Sequence, residues 1–173
     1  MATHPQPDLL PDRGEWTLTN ANCSIARTVD VVGNRISLLL LREAFFGTRR
    51  FDDFAERVGV SESAAAKRLG ELTAAGILER RPYREPGQRE RHEYRLTRKG
   101  GELRVVLTAL RDWGDRWEFD DPGPPLHTVH RECGATVHAQ MRCTDGHLVP
   151  RHETALAAGP APETLRPATE DLR

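Results

Sequence analysis

The chain has 173 residues, enough for one ordinary domain with some length to spare and too few for two full ones. Hydrophobic residues make up 38% and charged residues 29%, and Gly and Pro together number 26, so part of the length is expected as loop or tail. The formal net charge of −1 conceals a basic centre: residues 1–21 carry one basic and three acidic side chains, residues 22–118 carry 19 and 15, and residues 119–173 carry five and eight.

No apolar run exceeds four residues, as at Leu38 to Leu41, which excludes a bilayer-spanning segment or the hydrophobic part of a signal peptide and leads to a cytoplasmic expectation. Three cysteines, an odd number, argue against a disulfide framework in a reducing compartment and leave thiol chemistry, metal ligation or packing.

Residues 1–21, with Pro5, Pro7 and Pro11 and no apolar period, read as a flexible arm. Asn22 is placed to cap a helix running to Val32, with Cys23 in its first position and Gly33 closing it. A second helix over about Arg35 to Phe46 is apolar nearly all round and should be the central buried one. Phe51, Phe54, Ala55 and Val58 then recur at i, i+3, i+4 and i+7, giving a short amphipathic helix.

Gly59, Val60 and Ser61 form a tight turn, Ser61 caps the next helix, Ala65, Leu69 and Leu72 supply its buried stripe, and Gly76 ends it. Helix, three-residue turn and helix make a helix-turn-helix. The period then switches to two strands, Leu78 to Glu85 and Arg91 to Leu96, a hairpin or wing. Thr97 can cap a last long helix on which Leu103, Val106, Leu107, Leu110, Trp113, Gly114 and Trp117 follow heptad-like spacing. Residues 119–125 are rich in Asp, Pro and Gly and read as a linker, residues 126–152 as a small hairpin around Val129 to Val149, and residues 153–173 as a disordered tail.

The fold class that follows is mostly α with a small β-hairpin wing and a short C-terminal extension. On the second helix of the pair, Ser63, Lys67 and Ala74 fall opposite the core stripe, with Ala66 and Gly70 at the border. That face is small, polar and capable of close approach to base edges. Eight basic residues lie between Arg80 and Lys99, with Arg84, Arg89 and Arg91 at or beside the wing tip, where they would meet the minor groove or backbone. Glu85, Glu90 and Glu93 among them keep open the alternative of a solvated, salt-bridged ribbon.

The run Cys23 to Gly33 (CSIARTVDVVG), Leu38 to Arg42, Arg50 to Phe54 (RFDDF) and Tyr94 to Thr97 (YRLT) resemble the HxlR family of bacterial regulators over residues 22–118. The resemblance implies a winged-helix homodimer, paired through its first and last helices, that binds an inverted-repeat operator on double-stranded DNA. By position it implies DNA contacts for Ser61, Ser63, Ala66, Lys67 and Arg68 and for Arg89 and Arg91 of the wing. Ser63 where relatives often carry a basic residue, Ala64 and Ala65 where they carry larger ones, and Ile36 where an aromatic is usual keep base preference from being transferred. Trp113 and Trp117 on an otherwise exposed helix agree with a partner helix; folding back on the same domain is the alternative.

Cys23 in a first helical turn would feel free N–H groups and the positive end of the dipole, with Arg27 one turn along, both favouring thiolate. Family members that sense quinones, aldehydes or oxidants through a cysteine here make Cys23 a candidate electrophile or redox sensor. The alternatives are a simple buried thiol, or an apolar ligand entering between dimer helices near Trp113 or Trp117. His130 and Cys133 followed by Cys143 and His147 form two short pairs with the layout of a zinc site, with an unmetallated hairpin as the alternative. Relatives with an appended ribbon carry a Cys-Gly pair and then Cys-x-x-Cys; Cys133 and Gly134 fit, and Gly146 stands where the last cysteine would be. No phosphate-binding loop, nucleophile elbow or dinucleotide fingerprint is present, and Leu156 stands where a zinc-protease helix needs its second histidine. A non-enzyme is expected, with a protein-binding module as the competing class.

Overall fold

The computed structural model describes residues 9–10, 16–84, 87, 89–160 and 165–167. In chain order the elements are β1 (Trp16–Thr17), α1 (Ser24–Val32), α2 (Arg35–Phe45), α3 (Phe51–Val58), α4 (Glu62–Ala74), β2 (Leu78–Tyr83), β3 (Arg91–Leu96), α5 (Arg98–Glu102), α6 (Arg104–Trp117) and β4 (Arg166–Pro167). The chain divides into two compact units: Val29–Ala139, and a second formed by residues 1–28 with 140–173.

The core of the Val29–Ala139 unit is built on α2. Leu40, Leu41 and Ala44 point inward against Phe54 of α3, Leu69 and Leu72 of α4, and Ile77 and Leu78 at the start of the wing. Each large side chain in this set contributes about 1.5–3 kcal/mol by leaving water. Phe54 meets Tyr94 of β3 edge-on, with ring centroids 6.1 Å apart, which ties the helices to the hairpin.

The helix starts and stops follow from local chemistry. The Asn34 side chain accepts the Ile36 N–H at 2.9 Å and caps α2. Glu43, buried on that helix, accepts from Arg42 at 2.8 Å and from the Thr48 hydroxyl at 3.3 Å, so its charge is compensated. Gly59 takes the left-handed conformation (φ 69°) that turns α3 into α4. Beyond α4, Gly76 (φ 69°) donates to Thr73 and Ile77 donates to Leu72, both at 2.9 Å, a paired C-terminal closure that also seats Ile77 in the core.

β2 and β3 pair antiparallel from Leu78 with Leu96 to Tyr83 with Arg91. Strand continuation to Glu85 falls outside the described residues. The hairpin gains a third, one-residue partner before α3: Arg50 bridges Glu93, and Tyr94 N–H donates to Arg49 at 2.8 Å. Thr97 caps as expected, accepting from Gly100 N–H at 3.1 Å. The single long helix expected after it is two, α5 and α6, joined at Leu103. Gly100 is the reason α5 lies where it does, because a Cβ there would stand 2.2 Å from the Ile77 carbonyl oxygen. Residues 126–139 return to α6: Arg111 donates to the Thr128 hydroxyl and to Val137 O, and Asp112 accepts Ala139 N–H at 2.7 Å.

The other unit contains features with no periodic sign in the sequence. Trp16 and Thr17 pair antiparallel with Pro167 and Arg166, Leu9 bridges Ala157, and Trp16 is buried. The described parts of the arm and tail are thus joined to each other. Asn20–Asn22 form a single 3-10 turn, so α1 starts at Ser24, not at the position after Asn22. The one hairpin expected from Val129 to Val149 is two small loops, closed by Val129 with Thr136 and by Arg142 with Leu148, one in each unit.

Candidate nucleic-acid interface

The helix-turn-helix consists of α3, the turn Gly59 to Ser61, and α4. Ser61 fixes the start of α4: its hydroxyl accepts Ala64 N–H at 3.3 Å and lies 3.1 Å from the Ser63 hydroxyl. Ala65, Leu69 and Leu72 face the core, and Ser61, Ser63, Ala66, Lys67 and Gly70 are exposed. At Gly70 an added Cβ would meet nothing within 4 Å, so the outer face is open to close approach. This is the small, polar surface a major groove admits. Arg68 stands apart from it: half-buried, it pairs with Glu71 at 2.6 Å, so it braces α4 and is not a free cation on the outer face.

Arg84, Arg89 and Arg91 of the wing are exposed. Several other wing charges neutralise one another within a strand, Arg81 with Glu79 and Arg95 with Glu93, each at 2.6 Å. The ribbon therefore combines the two readings: its stem is salt-bridged, while Arg89 and Arg91 near the tip face solvent, Arg91 with only a 3.8 Å approach to Asp52.

The base of the wing holds a feature sequence reasoning missed. Arg50, just before α3, stacks over the Tyr83 ring with its guanidinium carbon 5.2 Å from the centroid. It lines a cleft of about 410 Å³ with Arg80, Arg91 and His92. The pair Arg49 and Arg50 precedes a helix and has no period of its own, so only the bridge to Glu93 reveals its place.

Of the residues expected at a partner contact, Val106, Leu110, Trp113 and Trp117 are exposed along α6, the two tryptophans at 59% and 66%. Leu103 is not among them: it is half-buried at the α5–α6 joint and packs on the core. Asp112 lies on the same helix. Burial raises its pKa, but Ala139 N–H, Arg111 and His138 outweigh that and hold the carboxyl below the usual carboxylate range.

Cys23 is half-buried, one residue before α1. Its carbonyl accepts Arg27 N–H at 3.0 Å, while the Arg27 side chain is exposed. The expected zinc ligands form two pairs: His130 Nδ1 lies 3.2 Å from Cys133 Sγ, and Cys143 N–H donates to His147 O at 3.1 Å. Among the described residues no group of three or more His, Cys, Asp or Glu side chains is assembled to hold a metal ion. Nor is any helix among them long and apolar enough to cross a membrane.

Comparison with known proteins agrees with this geometry. The chain is 40% identical over 121 residues to an uncharacterized HTH-type transcriptional regulator of Mycobacterium tuberculosis strain H37Rv, Rv3095, covering 70% of this chain and 75% of that one. The crystal structure of PA1607, a candidate transcription factor, superposes with a TM-score of 0.71 and 34% identity over 80% of this chain and 96% of its own. The redox regulator HypR in its reduced form matches with a TM-score of 0.50 and 26% identity over 54% of this chain and 92% of its own. The pattern of HxlR-like helix-turn-helix proteins matches residues 31–121, more than half of the chain. The protein belongs to the HxlR-like helix-turn-helix family of transcriptional regulators.

Proposed function

We propose that the protein binds an inverted-repeat operator as a homodimer, with α4 of each protomer in a major groove and the wings on the flanking backbone. The observation that carries this reading is the exposed face of Ser61, Ser63, Ala66, Lys67 and Gly70 on a helix whose other face is locked into the core. Small residues allow the helix backbone close to the base edges, the two serines supply hydrogen-bonding groups, and Lys67 supplies positive charge. Arg84, Arg89 and Arg91 add contacts that position the protein without selecting sequence. Exposed Val106, Leu110, Trp113 and Trp117 give one apolar side to α6, and a second copy covering it supports two-fold pairing. A dimer would set the two recognition helices one DNA turn apart.

A second reading concerns Cys23. Its half-buried thiol sits where α1 begins, and two structural relatives are HypR in its reduced and oxidised forms. Attack of Cys23 on an electrophile would enlarge the side chain at that helix start, tilt α1 and change the spacing of the recognition helices.

A mobility-shift titration of the upstream intergenic duplex tests both readings. The expected result is two protomers per operator, weaker binding by Lys67→Ala, and release by diamide in the wild type but not in Cys23→Ser. A single protomer per duplex, or no complex, contradicts the operator reading; identical diamide responses contradict the thiol reading.

A further inference from the structure

A groove of about 340 Å³ opens between α2 and α6. It exists because α2 is apolar on more faces than the core uses: Leu40 and Leu41 turn inward, while Leu38 and Leu39 line the groove with Phe45 and, from α6, Leu107. Phe46, 63% exposed, forms a lip. The volume lies at the lower end of the range that holds a small organic molecule.

Three arginines line it, and they differ in what already holds them. Arg42 is paired with Glu43 at 2.8 Å. Arg111 is engaged by Asp112, Thr128 and Val137 O. Arg104 lies with its guanidinium carbon 4.8 Å from the Phe45 ring centroid, and among the described residues no carboxylate pairs with it. A guanidinium stacked on a ring keeps its N–H edge available for a carboxylate.

We infer that this groove binds an amphipathic organic monoanion, its aromatic or alicyclic body between the Leu38, Leu39 and Phe45 walls and its carboxylate on the outer edge of Arg104. Leu110, on the α6 rim of the groove, also belongs to the apolar side that a second copy would cover, so the groove adjoins that pairing surface; a partner helix laid over Arg104 itself would desolvate the charge without pairing it, which is costly. A small anion covers the same apolar wall and pairs the charge. The helix it would touch carries Leu40 and Leu41, which pack with Leu69 and Leu72 of α4, so occupancy reaches the helix that bears the candidate DNA-binding face. The use of the groove as an effector site rests on the regulator reading; its ligand chemistry does not.

Isothermal titration of the full chain, with no DNA present, tests the inference separately from DNA binding. The probes are 1-naphthoate and its uncharged counterpart 1-naphthylmethanol. The expected result is one naphthoate per protomer, bound at least about tenfold more tightly than the alcohol. Arg104→Gln should bring the two probes to similar affinity, and Phe46→Ala, at an exposed position, should weaken both. Equal affinity of the two probes, no binding, or binding indifferent to both variants overturns the inference. Naphthoate binding that appears only on dilution to the monomer also overturns it, since the groove is then covered by a second copy.

Discussion

Replacing Gly100 by Ala puts a methyl group 2.2 Å from the Ile77 carbonyl oxygen, 3.1 Å from its carbon and 3.1 Å from Leu96 Cδ2. Ordinary contact needs more than an ångström of movement, and Ile77 O is not free to move, because it accepts Thr97 N–H at 3.0 Å and the Thr97 hydroxyl at 3.2 Å. Weakening those bonds costs about 1 kcal/mol each, and the overpacked site adds about 1–3 kcal/mol. Against this, Ala favours a helix over Gly by about 0.8–1 kcal/mol. The net is a loss of about 2–4 kcal/mol. Gly101, the next residue of the same helix, has nothing within 4 Å of an added Cβ, so Gly101→Ala should keep the helix preference alone and gain up to about 1 kcal/mol. Urea unfolding followed by circular dichroism, at one protomer concentration, should therefore move the two midpoints in opposite directions, separated by on the order of 1–3 M. Equal midpoints, or a rise in both, would refute the claim that the wing-to-α5 junction is held by backbone contact at Gly100.

Ser61→Ala removes the acceptor of Ala64 N–H and should cost about 1 kcal/mol in the same unfolding assay, with Ser61→Gly costing only a few tenths. The acid response of the strap from 126 to 139 follows from Asp112: its carboxyl is held below the ordinary 3.8, so the stabilisation it gives is present above that value and lost as pH falls through the lowered folded value. The protection of Ala139 N–H from hydrogen exchange, relative to a free amide at the same pH, should accordingly fall in acid in the wild type and be low already at neutral pH in Asp112→Ala. Trp113→Ser with Trp117→Ser takes the two largest exposed apolar groups off α6 and should shift sedimentation equilibrium toward the monomer; a dimer of unchanged stability would place the pairing surface elsewhere.

The parts of this architecture legible in the sequence are those fixed by short-range chemistry. Gly59 and Gly76 mark left-handed turns, Ser61 and Thr97 are good caps, and the 3.6-residue period of α3 and α4 names Phe54, Ala65, Leu69 and Leu72 as core. What was not legible depends on contacts between distant residues. Trp16 and Arg166 lie 150 positions apart, and two-residue strands leave no alternation to detect. The break at Leu103, whose N–H bonds Gly100 O three residues back, leaves no mark in the heptad-like apolar spacing, which reads straight through it. In the candidate interface, spacing placed Lys67 on the outer face correctly but could not show that Arg68 is tied to Glu71. The place of Arg50 is set by a single bridge to Glu93, which no spacing in the sequence announces. Side-chain pairing, unlike helical phase, is decided by rotamers and tertiary neighbours that a one-dimensional pattern does not encode.

Fluorescence anisotropy of a labelled upstream duplex, titrated with the full chain over a series of salt concentrations, tests the DNA-binding account most directly. Each phosphate neutralised should add about −0.9 to the slope of log affinity against log salt. A steep negative slope for the wild type, reduced by about one in each of Lys67→Ala and Arg89→Ala, is the predicted result. A slope near zero, or variants that match the wild type at every salt concentration, would contradict it.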